Sequence, residues 1–451
     1  MKRWIMFCLM GLSISTFGAT ATFTGASNNS LKANLNWDTG VAPVNQHVVF
    51  ATTNWTTRNM VTTSTAGYLN VFSMTVNSNV NSVTSDAFQI NGWQATSRIF
   101  SYNGVTVEAD VTKDVLLSGY WGFNGNINKN PIFWNYSSKN LQINTLNFAA
   151  VNGMNTVSFK GDNQNPIYVT TVNQNWTCTT FLNNVDMLVD RPSFGTSSNA
   201  VGTGLLSLSN EAKLSLTNYG VLANSEIRIG DGSTFDVSGF ATGVFTNSAV
   251  LQGTGVVIGD VYQTGQFRAG PGPGTFTFDG DLTLADPSWT QFEITDEAND
   301  LIVGGAEDTL TFEDGAALQF AFSGENVAEG DTFTLLSGFG SIVSEGTLNI
   351  SVTGLPEGLE VDTSKLTTLG IINIGTPEIG SVAAGTAAAG EGLVLTWDAT
   401  AGYTYVVESK SNLLDSVWVP CISNLYAEAS GSMTATATVD QAECFYRVVG
   451  E

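Results

Sequence analysis

Hydrophobic and polar residues alternate with a period of two along much of this chain. Between about residues 67 and 270 the alternation comes in short runs that end at Gly, Asn or Ser, as in segments 68–76, 104–111 and 141–148. A two-residue period with many β-branched residues predicts half-buried β-strands. Helical periodicity is almost absent after the first twenty residues. The pattern therefore predicts an all-β protein.

The predicted strands follow one another without a regular hairpin signature. Asn-Gly does not recur at each junction, and Asn and Gly occur instead at irregular bends. A solenoid explains this arrangement, because each of its coils buries its apolar face only against the neighbouring coils. We predict stacked coils with parallel strand pairing over residues 50–270.

Several motifs resemble the autotransporter-associated β-strand repeats of secreted bacterial proteins. The segments that carry the resemblance are 19–25, Asn36-Trp37, 40–43, 48–50, 225–239, 251–261, 269–275 and 278–284. The order of the motifs from 292 to 374 is similar to the terminal module of that family. The resemblance implies a right-handed parallel β-helix, here over residues 22–275, and it implies no catalytic residues.

Two prolines mark the predicted end of the coils. Pro271 and Pro273 are each flanked by Gly, and proline cannot donate a hydrogen bond to a strand ladder. An uncapped solenoid would leave unpaired backbone and apolar surface at its end. Residues 276–375 are therefore predicted to form an antiparallel β end module that closes the solenoid.

The last part of the chain is predicted to be a separate module behind a linker. Residues 376–392 are small and lack alternation, which is typical of a linker. Residues 393–451 contain four or five short strands and resemble a small fibronectin type III-like β-sandwich. The features that match are the leading Leu395-Thr-Trp, the Tyr405-Val-Val-Glu-Ser strand and the closing Phe445-Tyr-Arg-Val.

The N-terminus has the pattern of an export signal. Lys2 and Arg3 precede an apolar run at 4–12, and Ala19-Thr-Ala21 offers the small residues of a cleavage site. We predict a signal peptide over residues 1–21, with cleavage after Ala21 or a few residues earlier. No stretch reaches about 18 consecutive apolar residues. The mature chain is therefore expected to be secreted or at the cell surface, with no transmembrane anchor.

The charge balance limits the classes of possible partner and makes calcium a candidate ligand. The chain of 451 residues has a net charge of −24, which repels phosphate and argues against a nucleic-acid partner. Most of the acids lie after residue 200. They keep a β-rich surface soluble, or they bind calcium, for which Asp296, Glu297 and Asp300 are the candidate ligands. No spacing of an EF-hand is present, and no other cofactor is expected.

Three cysteines remain once the signal is removed. Cys421 and Cys444 lie in the same predicted module, and an oxidising compartment permits a disulfide between them. Two separately buried thiols are the other interpretation. Cys178 is interpreted as a buried small hydrophobic residue.

The densest group of aromatic residues is the best candidate for ligand binding. It comprises Tyr120, Trp121, Phe133, Trp134 and Tyr136. Such rings stack on sugars, or they pack against the solenoid.

The sequence offers little for catalysis. Hydrolysis of a polysaccharide needs two carboxylates, or a carboxylate and a base, in one groove. Asp110 and Asp114 are interpreted as turn residues, and His47 is the single histidine. We therefore predict a secreted, non-enzymatic β-helical surface or matrix protein with an adhesive role, whose partners are extracellular glycans or other cell-surface components. A glycan-binding or glycan-cleaving β-helix is the alternative.

Overall fold

The computed structural model is almost entirely β-sheet. It describes residues 20–24, 31, 36–40, 42–44, 46–50, 59–61, 69–82, 87–92, 99–101, 103–119, 121–122, 130–144, 156–169, 177–191, 201–219, 222–324, 326–375, 383–384, 392–399, 403–411, 417–428, 431–438 and 445–450. Strands make up 62% of the structure and helix 3%, which confirms the all-β prediction. Most of the predicted signal peptide and of the predicted linker lies outside the described residues.

One parallel ladder runs through the structure from its first described strand to residue 353. Its fourteen strands, numbered by their place in the chain, are β1 (Thr20–Phe23), β2 (His47–Phe50), β5 (Ser73–Val76), β8 (Gly104–Val107), β11 (Ile132–Asn135), β13 (Thr156–Val169), β14 (Thr179–Arg191), β15 (Leu205–Ser209), β17 (Glu226–Ile229), β20 (Val250–Gly253), β23 (Gln266–Arg268), β26 (Trp289–Thr295), β29 (Ala317–Ser323) and β33 (Asn349–Thr353). We call this series the first ladder. Each strand pairs with the corresponding strand of the next coil, as predicted for a solenoid.

A second parallel ladder accompanies the first. It contains β3 (Asn59–Val61), β6 (Ala87–Gly92), β9 (Asp114–Gly119), β12 (Leu141–Ile143), the C-terminal parts of β13 and β14, β16 (Lys213–Asn218), β18 (Thr234–Phe240), β21 (Val256–Ile258), β24 (Thr275–Asp279), β27 (Leu301–Val303) and β31 (Leu336–Ser337). Because β13 and β14 belong to both ladders, the two form one 24-stranded sheet.

Two shorter parallel sheets complete the coils. One contains β4 (Leu69–Val71), β7 (Ile99–Ser101) and β10 (Trp121–Gly122), and the other β19 (Val244–Asn247), β22 (Asp260–Gln263), β25 (Leu282–Leu284), β28 (Thr309–Phe312) and β32 (Ser341–Ser344). A coil thus contributes up to three strands, an arrangement that is consistent with a parallel β-helix.

The core is a series of columns in which buried side chains from successive coils lie one above another. In the first ladder one such column comprises Ala21, Val48, Met74, Val105, Phe133, Phe159, Leu182, Leu208 and Ile229, all at most 1% exposed. The rings of Phe133 and Phe159 stack with centroids 5.1 Å apart. Strand alternation explains the pattern, since every second side chain points into the coil.

The prediction of an antiparallel module over residues 276–375 is wrong for most of that segment. Strands β24 to β29 and β31 to β33 pair in parallel with the preceding coils, because Pro271 and Pro273 lie in the connection between β23 and β24, where no ladder hydrogen bond is needed. Among the described residues of this segment, antiparallel pairing occurs at an isolated bridge between Ile294 and Asn299 and in one small sheet of β30 (Thr332–Thr334), β34 (Glu360–Asp362) and β35 (Ile371–Gly375), with the short helix α1 (Leu366–Leu369) beside it.

The C-terminal module has its own core between two antiparallel sheets. One sheet contains β36 (Ala383–Ala384), β37 (Gly392–Ala399) and β40 (Gly431–Thr438), and the other β38 (Thr404–Lys410), β39 (Val419–Tyr426) and β41 (Phe445–Gly450). Trp397 and Tyr405 pack together in its core, and the Tyr403 hydroxyl donates a hydrogen bond to the carbonyl of Leu359 at 2.7 Å. In the described ranges, no helix is long and apolar enough to cross a membrane.

Two adjacent leucines of β9 test the inward and outward alternation. Leu117 is fully buried and Leu116 is half-buried on the opposite side of the strand. Leu117→Ala is expected to lower the free energy of unfolding by about 2–5 kcal/mol, and Leu116→Ala by at most about 1 kcal/mol, as measured by urea denaturation. Equal destabilisation by the two substitutions would contradict the assigned faces.

Candidate functional site

The outward side of the first ladder carries a continuous row of aligned side chains. We call this row the outer column. Its members are Thr20, His47, Ser73, Gly104, Ile132, Ser158, Phe181, Ser207, Arg228, Gln252, Arg268, Gln291, Gln319 and Ser351. Most are polar, and neighbours are about 4.8 Å apart along the ladder.

A cleft of about 330 Å³ opens on the N-terminal part of this column. It is lined by His47, Ser73, Asn103, Gly104, Thr106, Asn130, Ile132 and Trp134. Gly104 creates the gap between its two neighbours in the column. Its φ is +92°, and a Cβ there would overlap the backbone of Ile132, so this position takes no larger residue.

Trp134 forms one wall of the cleft and carries an unsatisfied hydrogen-bond donor. Its ring stacks on Tyr136 with centroids 4.7 Å apart and planes at 20°. The Lys160 ammonium lies 5.2 Å from the centre of the Trp134 ring. The indole Nε1 is buried and has no hydrogen-bond partner. A buried N–H without an acceptor costs free energy, and a ligand acceptor that reaches it after a small shift of the ring would remove that cost.

His47 closes the opposite end of the cleft. Its Nδ1 hydrogen-bonds with the hydroxyl of Ser73, and its Nε2 lies 3.3 Å from the hydroxyl of Thr75. Burial lowers the pKa of His47, so the imidazole is neutral at pH 7. The cleft thus presents hydroxyls, amides, a neutral imidazole and an indole N–H, a set of groups that hydrogen-bonds with polyhydroxylated molecules.

The carboxylates of Glu108 and Asp162 lie near the stacked rings of Trp134 and Tyr136. Glu108 and Tyr136 follow adjacent strands of the first ladder, since the Tyr136 N–H donates to the carbonyl of Val107. Burial, and then the charge of Asp110, raise the pKa of Glu108. Burial, and then the charge of Asp162, raise the pKa of Tyr136. Negative charge therefore borders the aromatic pair, with Lys160 as the nearby cation.

The predicted aromatic group divides between this site and the core. Trp134 and Tyr136 are brought together on the outer side. The predicted roles of Trp121 and Phe133 in binding are wrong, because both side chains are fully buried. Phe133 belongs to the inward column, and the Trp121 Nε1 donates to the carbonyl of Ser118 at 2.9 Å. Tyr120 lies outside the described residues.

Sequence reasoning missed most of the cleft. His47, Ser73, Asn103, Asn130 and Lys160 come from different coils. Hydrogen-bonded partners in adjacent coils are 26 residues apart for His47 and Ser73 and 31 residues apart for Asn81 and Thr112. This separation is the period that would have aligned the cleft residues. Loops of unequal length hide this period in the sequence.

Two of the three predicted calcium ligands, Asp296 and Asp300, accept hydrogen bonds within the protein. Asp296 accepts hydrogen bonds from the backbone and the side chain of Asn326. Asp300 is buried, and its two oxygens accept the N–H groups of Gly274 and Glu293 at 2.9 and 2.8 Å, while Glu297 is exposed. Within the described part of the chain, no three His, Cys, Asp or Glu side chains lie close enough to hold a metal ion. The calcium site at Asp296, Glu297 and Asp300 stays a prediction.

Aspartates repeatedly connect one coil to another. Seven of them accept a backbone N–H from a residue 16 to 33 positions away: Asp38, Asp114, Asp260, Asp281, Asp296, Asp300 and Asp314. Most of these donors lie at a bend or at the start of a strand, where the ladder does not satisfy them, and Thr22 lies within β1. Part of the acidity of the chain is therefore explained by the connection of successive coils.

The predicted disulfide involves one cysteine that the structure describes, Cys421. Cys421 is a free thiol that hydrogen-bonds with the carbonyl of Val407. Cys444 lies outside the described residues, and the next residue, Phe445, begins β41. The pairing stays a prediction.

Asp300→Asn is expected to change the pH dependence of stability. Burial raises the pKa of Asp300 from 3.8 to about 7, although two N–H groups favour its charged form. The fold therefore favours the protonated carboxyl. This stabilisation is complete below about pH 4 and is lost as the pH rises through about 7, a difference on the order of 4 kcal/mol.

Because Asn stays neutral, the variant should gain stability relative to the wild type between pH 4 and pH 8, as followed by urea unfolding. A constant difference between the two proteins over this range would contradict the raised pKa.

Comparison with protein-family models, curated proteins and solved structures finds no match for this chain. The resemblance to autotransporter-associated repeats and to a fibronectin type III-like module therefore stays a prediction from the motifs. What the structure adds is a long parallel sheet that is compatible with a β-helix.

Proposed function

We propose that this chain is a secreted, non-enzymatic, right-handed parallel β-helix that binds an extended glycan along its outer column. The observation that carries the proposal is the buried, unpartnered N–H of Trp134 in a cleft of hydroxyl and amide groups. Sugars supply both hydroxyl acceptors and the apolar ring faces that stack on aromatic side chains. Trp134 offers a contact of each kind.

The repetition of the coils suits a polymeric ligand. The first ladder has fourteen strands and is therefore about 60 Å long, with aligned polar side chains at each step. A repeating saccharide would meet similar groups at successive positions, and several weak contacts would add up to measurable affinity. This property supports an adhesive role at a surface or in a matrix, in agreement with the predicted export signal.

The described groups around the cleft support binding over cleavage. Asp114 accepts hydrogen bonds from the backbone of Asn140 and the side chain of Gln142, so it serves the coil and not a groove. His47 is oriented by two hydroxyls, Ser73 and Thr75. A general base oriented by a carboxylate would be the usual arrangement for nucleophilic catalysis.

The position of β1 limits where a signal peptidase could cleave an export signal. Ala21 and Phe23 are fully buried in β1, which pairs with β2. Cleavage after Ala21 would remove half of this strand. We therefore propose that processing occurs before Thr20, at the earlier of the two predicted positions.

Substitutions at Trp134 test glycan binding. Trp134→Phe keeps a ring and removes the N–H donor, and should weaken binding two- to tenfold, because a neutral hydrogen bond contributes about 0.5–1.5 kcal/mol. Trp134→Ala also removes the stacking surface and should weaken binding about five- to hundredfold, since stacking adds about 0.5–1.5 kcal/mol. A glycan array followed by calorimetry on the best ligand provides the measurement.

Trp418→Ala is the matched control. This tryptophan lies in the C-terminal module, under Lys410 and Arg447 at 4.4 and 4.7 Å, and its loss should leave glycan binding unchanged. Binding that survives Trp134→Ala would refute the proposed site. Release of reducing ends from the bound glycan would replace the adhesive function with a hydrolytic one.

A further inference from the structure

Arg268 and Trp289 form a second distinctive site on the outer face of the first ladder. Arg268 belongs to the outer column on β23, and its guanidinium carbon lies 5.4 Å from the centre of the Trp289 ring on β26. The neighbouring members of the column are Gln252 and Gln291. Both are neutral amides that donate and accept hydrogen bonds.

No acidic side chain among the described residues neutralises the charge of Arg268. Its Nε is buried without a hydrogen-bond partner, and it makes no salt bridge to a described side chain. Three other cations after residue 200 are paired, at 2.9 Å for Lys213 with Asp236 and 2.6 Å for both Arg228 with Glu226 and Arg447 with Glu408. An unpaired arginine is unexpected in a chain with a net charge of −24.

The position of Arg268 suits the recognition of a carboxylate. A guanidinium that lies over an aromatic ring keeps its in-plane N–H donors available, and their fork matches the two oxygens of a carboxylate. On one side of Arg268, the amide of Gln291 can hydrogen-bond with the hydroxyls of the sugar that carries the carboxylate. On the other side, the amide of Gln252 is buried and donates to Glu226.

We propose that Arg268 binds the carboxylate of a uronic acid unit, so that the ligand of the outer column is an acidic polysaccharide. This inference rests on the proposed function, because it assigns the class of glycan that the column binds. Six strand spacings, about 29 Å, separate Trp134 on β11 from Arg268 on β23. A single extended chain can therefore occupy both sites.

Arg268→Gln tests the proposal with little risk to the fold, since glutamine occupies the positions before and after it in the column. The probes are a panel of polyuronates, each beside the same polymer with its carboxylates reduced to alcohols. The wild type should bind at least one polyuronate about tenfold more tightly than its reduced form, equivalent to about 1.4 kcal/mol. Arg268→Gln should abolish this preference while it still binds the reduced polymer.

Arg228→Gln is the control, because Arg228 lies two positions away in the same column and is already paired with Glu226. It should retain the preference for the polyuronate. Equal binding of charged and reduced polymers by the wild type, or an unchanged preference in Arg268→Gln, would overturn this inference and leave the proposed function standing. Failure of the wild type to bind any polymer of either kind would overturn both.

Discussion

The structure depends on in-register hydrogen bonding between each coil and the next. In the first ladder, the strands stay in register along the whole outer column, from Thr20 to Ser351. Because each strand pairs only with strands of the adjacent coils, the stability of the stack is the sum of contacts between neighbouring coils. This pairing also stacks the inward side chains of successive coils on one another, and most of them are apolar. The buried column from Ala21 to Ile229 is the direct result.

The same constraint creates the proposed binding surface. Side chains that point outward are held in rows about 4.8 Å apart, so residues far apart in the chain, such as His47 and Trp134, line one cleft. Aspartates help to hold these rows in place. Aspartates at the bends accept N–H groups from neighbouring coils, as Asp281 does from Thr309 at 2.7 Å, and they leave Arg268 without a described carboxylate partner.

The two-residue pattern was enough to predict the strands, because burial in a strand depends on local alternation, and the lack of regular hairpin signatures predicted their parallel pairing. It did not predict where the coils end: Pro271 and Pro273 interrupt a connection, and the ladders resume after them. It also placed Trp121 with Trp134, although one is buried and the other borders the cleft. Which aromatic points outward depends on the register between coils, and loops of variable length conceal that register.

Oxidative footprinting of tryptophan tests the central claim, that a glycan occupies the outer face of the first ladder. Brief exposure to hydroxyl radicals, followed by mass spectrometry of peptides, reports the solvent access of each ring. With saturating polysaccharide, labelling of Trp134 and Trp289 should fall, and labelling of Trp418 should stay the same. Unchanged labelling of Trp134 in the presence of a bound polysaccharide would show that the ligand lies elsewhere and would contradict the account.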